Sequence, residues 1–148
     1  MNDGCCAYTM PLTVPIVSKF ATTATITAVS SGINIAYGQS DGKLIVGQEE
    51  IILSPINCLY ELPLGDLIVG TNESLQIFRD GKEISSISHE TGIDSIDGYG
   101  DFAVGIDGLG RAHVIDSEGA TTSIPESSVL FAKVGKNIAI ASESGKVC

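Results

Sequence analysis

The chain has no tryptophan, four phenylalanines, four tyrosines and only two histidines, His89 and His113, among its 148 residues. Basic residues are scarce as well: eight lysines and arginines face 18 aspartates and glutamates, a net charge of −10. Such a field repels a phosphate backbone, whose binding rests on cationic contacts that release counterions, so the composition argues against direct DNA or RNA recognition. A basic protein partner is compatible with it. No apolar run reaches the roughly 18 residues that a membrane-spanning helix needs. No segment repeats its apolar residues at helical spacing, which removes a membrane-surface helix and a coiled-coil partner together. The opening MNDGCCAYTM lacks a basic stretch followed by an apolar one, so no cleaved signal peptide is expected, and the expected compartment is the cytoplasm or nucleus.

Cysteine is also thin. Cys5 and Cys6 are adjacent, Cys58 opens an apolar strand and Cys148 is the last residue, an arrangement with no CxxC pair and no zinc knuckle. A secreted disulfide framework of this length would be denser. Reduced thiols, with Cys58 buried, are the expectation.

What the chain does have is glycine, 17 of them, placed with a rhythm. An apolar strand ending in a small residue runs into a polar turn and another strand four times: NIAYGQSDGKLIVG, DLIVGTNESLQIF, DFAVGIDGLGRAHVI and NIAIASESGKV. Aligning the small residue puts Gly38, Gly70, Gly105 and Ala141 in register at successive offsets of 32, 35 and 36. A period in the range of roughly 20 to 50 residues marks a repeat architecture. Within the first copy Ile33, Ile35 and Tyr37 alternate with polar or small positions, the period of a strand that buries one face. Asp41-Gly42 then supplies a tight turn.

Flanking strands complete each unit. TATITAVS and EEIILSPI enclose the first hairpin, with Pro55 at a strand end. CLYELPL and GKEISSISH enclose the second, GIDSIDG and ATTSIP the third, and SVLFAKV precedes the fourth, which stops as its third strand begins. The expected division is an arm or closing strand over 1–20, then units over 21–56, 57–91, 92–126 and 127–148, the last incomplete. The fold class is all-β.

Local patterns that invite chemistry read more simply as structure. Asp94, Asp97 and Asp101 are close in sequence but lack the alternating oxygen ligands and final Glu of a calcium loop; Asp97, Asp101 and Asp107 read as turn residues. Gly105, Gly108 and Gly110 are followed by RAHVID, which alternates at period two, so no helix is there to receive a phosphate. There is no GxSxG elbow. His113 reads as a hydrogen-bonded strand residue and His89 as an exposed residue of a linker. No catalytic, cofactor-binding or metal-ligating residue is assigned, and no cofactor is called for.

Four short antiparallel strands repeated at this period resemble the blades of a β-propeller, arranged around a central channel. Hairpins such as LIVGTNESLQIF look like the second and third strands of WD40-like blades. The Trp-Asp and Gly-His pairs of WD40 blades and the paired glycines of kelch blades are missing, so the resemblance is to a degenerate WD40-like type. It implies about three and a half blades, a partial propeller. The N-terminal AYTMPLTVPIVSKF returning to close a four-bladed ring, completion by another protein or a second copy, and a longer parent chain are the ways to resolve the missing half. The expected function is a non-enzymatic interaction or scaffold module bound through hairpin loops or an open blade edge. The alternative is a ligand-binding or enzymatic propeller with its site at the central channel, for which Glu61, Asp94 and Lys133 are the charged candidates.

Overall fold

The computed structural model describes residues 22, 24–119, 121–126 and 128–148. The N-terminal arm, Cys5 and Cys6 lie outside them. Among the described residues there is no helix. Fourteen strands among the described residues form four antiparallel sheets. Sheet 1 contains β1 (Ile26–Ser31), β2 (Ile35–Gln39), β3 (Lys43–Val46) and β4 (Glu49–Ile52), in that order. Sheet 2 contains β5 (Ile56–Glu61), β6 (Leu67–Thr71), β7 (Ser74–Arg79) and β8 (Lys82–Ser88). Sheet 3 contains β9 (Ile93–Tyr99), β10 (Phe102–Asp107), β11 (Ala112–Asp116) and β12 (Thr121–Ser123). Sheet 4 pairs β13 (Val129–Val134) with β14 (Ile138–Ser142), and a bridge from Ala141 to Val147 begins a third rung.

Within each sheet every strand pairs with the next in sequence because the turns are short, and all but the Asn72-Glu73 turn of β6–β7 carry glycine. Gly42, for example, sits at φ 91° and closes the β2–β3 turn by donating its N–H to the Gln39 carbonyl at 3.0 Å. The first strands stack in series, β1 on β5, β5 on β9 and β9 on β13. Three apolar cores lie between successive sheets. Ala36, Leu44, Ile56, Leu67, Val69 and Phe78 form the first, between sheets 1 and 2. Cys58, Ile68, Leu75, Ile77, Ile93 and Ile115 belong to the second. Val104, Ile106, Ala112, Val129 and Ile140 form the third, between sheets 3 and 4. Strand β6 shows why LIVGT has no polar interruption: Leu67 and Val69 face one core and Ile68 the other, so the whole strand is buried.

The repeat extends to a bulge. The first residue of each first strand pairs with a polar residue closing the second strand: Ile26 with Gln39, Ile56 with Thr71, Ile93 with Asp107 and Val129 with Ser142. The following residue, Thr27, Asn57, Asp94 or Leu130, is passed over, and pairing resumes at Ala28 with Gly38, Cys58 with Gly70, Ser95 with Ile106 and Phe131 with Ala141. An extra residue at the same place in every sheet bends each first strand alike. It also corrects the alignment made from sequence, since Ile106 rather than Gly105 occupies the Gly38 and Gly70 position. All four polar partners, Gln39, Thr71, Asp107 and Ser142, are buried.

Candidate functional site

Asp107 ends β10 and closes the β10–β11 turn. Its Oδ1 accepts hydrogen bonds from the backbone N–H groups of Leu109 and Arg111, each at 3.0 Å. Thr71 does the equivalent job in sheet 2, its Oγ1 accepting from the N–H groups of Glu73 and Ser74. Asp107 adds more: its Oδ2 accepts from Arg111 Nε at 2.7 Å and from His113 Nε2 at 3.0 Å. Burial pushes the Asp107 carboxyl up, but the bonds from His113, from the Arg111 backbone and side chain and from Leu109 outweigh it and hold the group at about 2. An ionised Asp107 accepts only, so His113 carries its proton on Nε2 and Nδ1 accepts from Ser123 Oγ at 3.2 Å.

His89 reaches the same place from the connection between β8 and β9. Its backbone N–H donates to the Glu73 carbonyl at 2.8 Å, and its ring meets the His113 ring edge to face, 5.0 Å between centroids. His89 Nε2 and Thr91 Oγ1 are both buried without a hydrogen-bond partner. The connection lies directly on the turn: a Cβ built on Gly108 would stand 2.7 Å from the Thr91 carbonyl oxygen. Burial pushes the His89 imidazole below its usual range, and His113 adds to this while Asp107 opposes it. One ligand atom from each of His89, Asp107 and His113 lies within 4.8 Å of the others.

The sequence reading missed this assembly. His113 is the hydrogen-bonded strand residue expected, but His89 is half-buried with a buried ring nitrogen rather than exposed. Ser123, His113 and Asp107 form a hydrogen-bonded chain, with serine on Nδ1 and aspartate on Nε2, the reverse of the hydrolytic triad, where the aspartate takes Nδ1. With Arg111 also on its carboxylate, the chain acts as a clamp on the turn. The local sign in the sequence was Asp107, Arg111 and His113 spaced across a glycine-rich hairpin.

The charged channel candidates are not brought together. Glu61 Oε1 accepts from the backbone N–H of Ile33 at 2.6 Å, so a carboxylate on sheet 2 caps the β1–β2 turn of sheet 1. Lys133 lies 3.4 Å from Asp97, and Asp97 Oδ2 accepts from the Val134 N–H at 2.7 Å. Asp97 therefore sits within β9 and ties sheet 3 to sheet 4; it is not a turn residue. Asp94 occupies the bulge of β9 and lines, with Glu143, Ser128 and Leu109, a cleft of about 490 Å³ between sheets 3 and 4.

No protein-family profile matches the chain, and no curated protein matches it in sequence. Solved structures do match in fold. The computationally designed Ika4 protein is 18% identical with a TM-score of 0.74, over 93% of this chain and 97% of that one. The computationally designed Ika8 protein is 20% identical with a TM-score of 0.68, over 82% of this chain and 44% of that one. Raptor of Chaetomium thermophilum is 12% identical with a TM-score of 0.67, over 85% of this chain and 15% of that one. At these identities the likeness speaks for the fold alone: a propeller-like repeat of four-stranded antiparallel sheets.

Proposed function

We propose that the chain is a non-enzymatic protein-interaction module of degenerate WD40-like blades, three full and a fourth incomplete, working in the cytoplasm or nucleus as part of a larger assembly. The observation that carries this reading is the state of sheet 4. Among the described residues it has two strands and a short third rung where its three neighbours have four strands, and it leaves Phe131 68% and Val147 74% exposed. Among those residues only the short third rung covers the outer edge of β14, Ile140 exchanging both backbone bonds with Cys148 and the Ser142 N–H donating to the Lys146 carbonyl. The far side of that rung offers N–H and C=O groups for another strand to pair with, and the exposed side chains supply apolar area beside them. The occupant is another polypeptide, a second copy of this chain being the simplest. Asp94 and Glu143 in the adjoining cleft suit a basic side chain of that partner.

Light scattering of the purified chain, with hydrogen exchange on the same sample, tests this. Self-association that Phe131→Asp abolishes, with exchange protection of the Val147 amide on the outer rung lost at the same time, is the expected outcome. A folded monomer whose Val147 amide is already protected overturns it, because the outer rung is then covered from within the chain.

A further inference from the structure

A buried ring nitrogen without a hydrogen-bond partner is uncommon in a folded protein and calls for a water, an ion or a functional reason. His89 Nε2 is such an atom, and Thr91 Oγ1, in the same connection, is another. Both belong to a segment pressed on the turn that Asp107 closes, beside the ring of His113. We propose that His89, His113 and Asp107 form a binding site for a divalent first-row transition-metal ion, with zinc as the best fit to two imidazoles and a carboxylate. The sequence offered no such site because its two histidines stand on different sides of two strands. The inference does not depend on the interaction reading.

The distances are close to what a metal needs. Ligands at 2.0–2.2 Å around a tetrahedral zinc stand roughly 3.3–3.5 Å from one another. His113 Nε2 and Asp107 Oδ2 are 3.0 Å apart, and the set of three spans no more than 4.8 Å. Closure requires the His89 ring to advance by roughly 1–1.5 Å, and His89 lies in a connection rather than in a strand. The metal takes the lone pair of His113 Nε2. The proton there moves to Nδ1, the Ser123 hydroxyl turns from donor to acceptor, and a neutral ring releases no net proton. Ser123 is thus already placed to orient the ligand through its other nitrogen.

Arg111 is the competing cation, since its Nε lies 2.7 Å from Asp107 Oδ2. Its side chain is 50% exposed and is free to turn into solvent, whereas Asp107 is fully buried. The carboxylate that remains would share its charge with the metal. The bound ion would join the connection between sheets 2 and 3 to the hairpin of sheet 3, a staple between segments that now meet through packing and the His89–His113 ring contact.

The deciding experiment is a titration of the full chain with Co²⁺, after chelator treatment and with thiols reduced. One equivalent of Co²⁺ should give visible d–d bands without near-ultraviolet thiolate charge transfer, and Zn²⁺ should displace it. His89→Gln, folded by circular dichroism, should bind at least about tenfold more weakly. His113→Gln removes part of the turn clamp, so His89→Gln carries the test. Thiolate charge-transfer bands, no uptake of Co²⁺ in excess, or unchanged affinity in His89→Gln each overturn the site.

Discussion

The side-chain amide of Asn57 donates to the backbone carbonyl of Ile93 at 3.1 Å, from sheet 2 into the first residue of sheet 3. Asn57 is the residue that the bulge of β5 leaves unpaired, and Ile93 is the residue at which β9 begins its ladder. Thr27, at the same place in sheet 1, donates its hydroxyl to the carbonyl of Ile56, the same place in sheet 2. The bulge therefore aims a donor at the carbonyl that starts the next sheet. Asp94 and Leu130, in the third and fourth sheets, carry no donor there, so this link joins sheets 1 to 2 and 2 to 3 and then lapses.

Replacing Asn57 by Leu should remove the link while nearly keeping the volume. The Ile93 carbonyl then loses its amide donor and keeps the weaker Cys58 Sγ–H at 3.6 Å, and Asn72 Oδ1, which accepts from the same amide at 3.0 Å, loses one too. A destabilisation of about 1–3 kcal/mol is expected, read from urea unfolding at constant m. A change within a few tenths of a kcal/mol would show that solvent replaces the bond at no cost.

Gly92 joins sheet 2 to sheet 3 at φ 67°, and an added Cβ would lie 2.5 Å from the Thr71 carbonyl oxygen and 2.6 Å from the Asn72 backbone. Gly92→Ala combines a left-handed backbone penalty with a clash against main chain that cannot step aside. The expected loss is about 2–4 kcal/mol, seen as a lower thermal midpoint. Gly47→Ala is the control: the same left-handed region at φ 61°, with nothing within 4 Å of the added carbon, should cost less.

The strands were legible in the sequence because their signals are local. Alternation in INIAYG, unbroken apolar character in LIVG and glycine at most of the turns report on neighbours a few residues apart. The register among copies was less so: FAVGID admits alignment on Gly105 or on Ile106, and only the pairing of Asp107 with Ile93 across the bulge decides for Ile106. Contacts between sheets were invisible, since nothing near Glu61 in sequence says that it caps Ile33, and nothing near His89 points to His113. The cluster at Asp107 depends on the β8–β9 connection folding onto the β10–β11 turn, which no periodicity encodes.

Cys58 is 8% exposed, and its thiol is pushed up to about 12, by burial first and then by the charge of Asp94, against the opposing backbone bond of Gly70. The thiolate is the reactive form, so the native chain should alkylate at Cys148, which is exposed, long before Cys58. Mass spectrometry after timed iodoacetamide treatment at pH 8 should find Cys58 modified only once urea unfolds the chain. Prompt labelling under native conditions would mean that the junction of sheets 2 and 3 opens readily.

The acid limb of stability should be set in large part by Asp107. Its folded pKa of about 2 lies below its ordinary 3.8, so as pH falls the unfolded chain takes up the proton first. The contribution is complete above about pH 5 and drains away as pH drops through 3.8 toward 2. At full strength a gap of this size corresponds to about 2 kcal/mol. Asp107→Asn keeps an acceptor for the turn amides but sets an amide against Arg111 and His113, so at pH 7 in chelator-treated buffer the variant should be less stable by about that amount. As pH falls from 5 to 2.5 the two unfolding curves should converge, because protonation does to the wild type what the substitution has already done. Parallel curves over that range would place the acid sensitivity in other carboxylates.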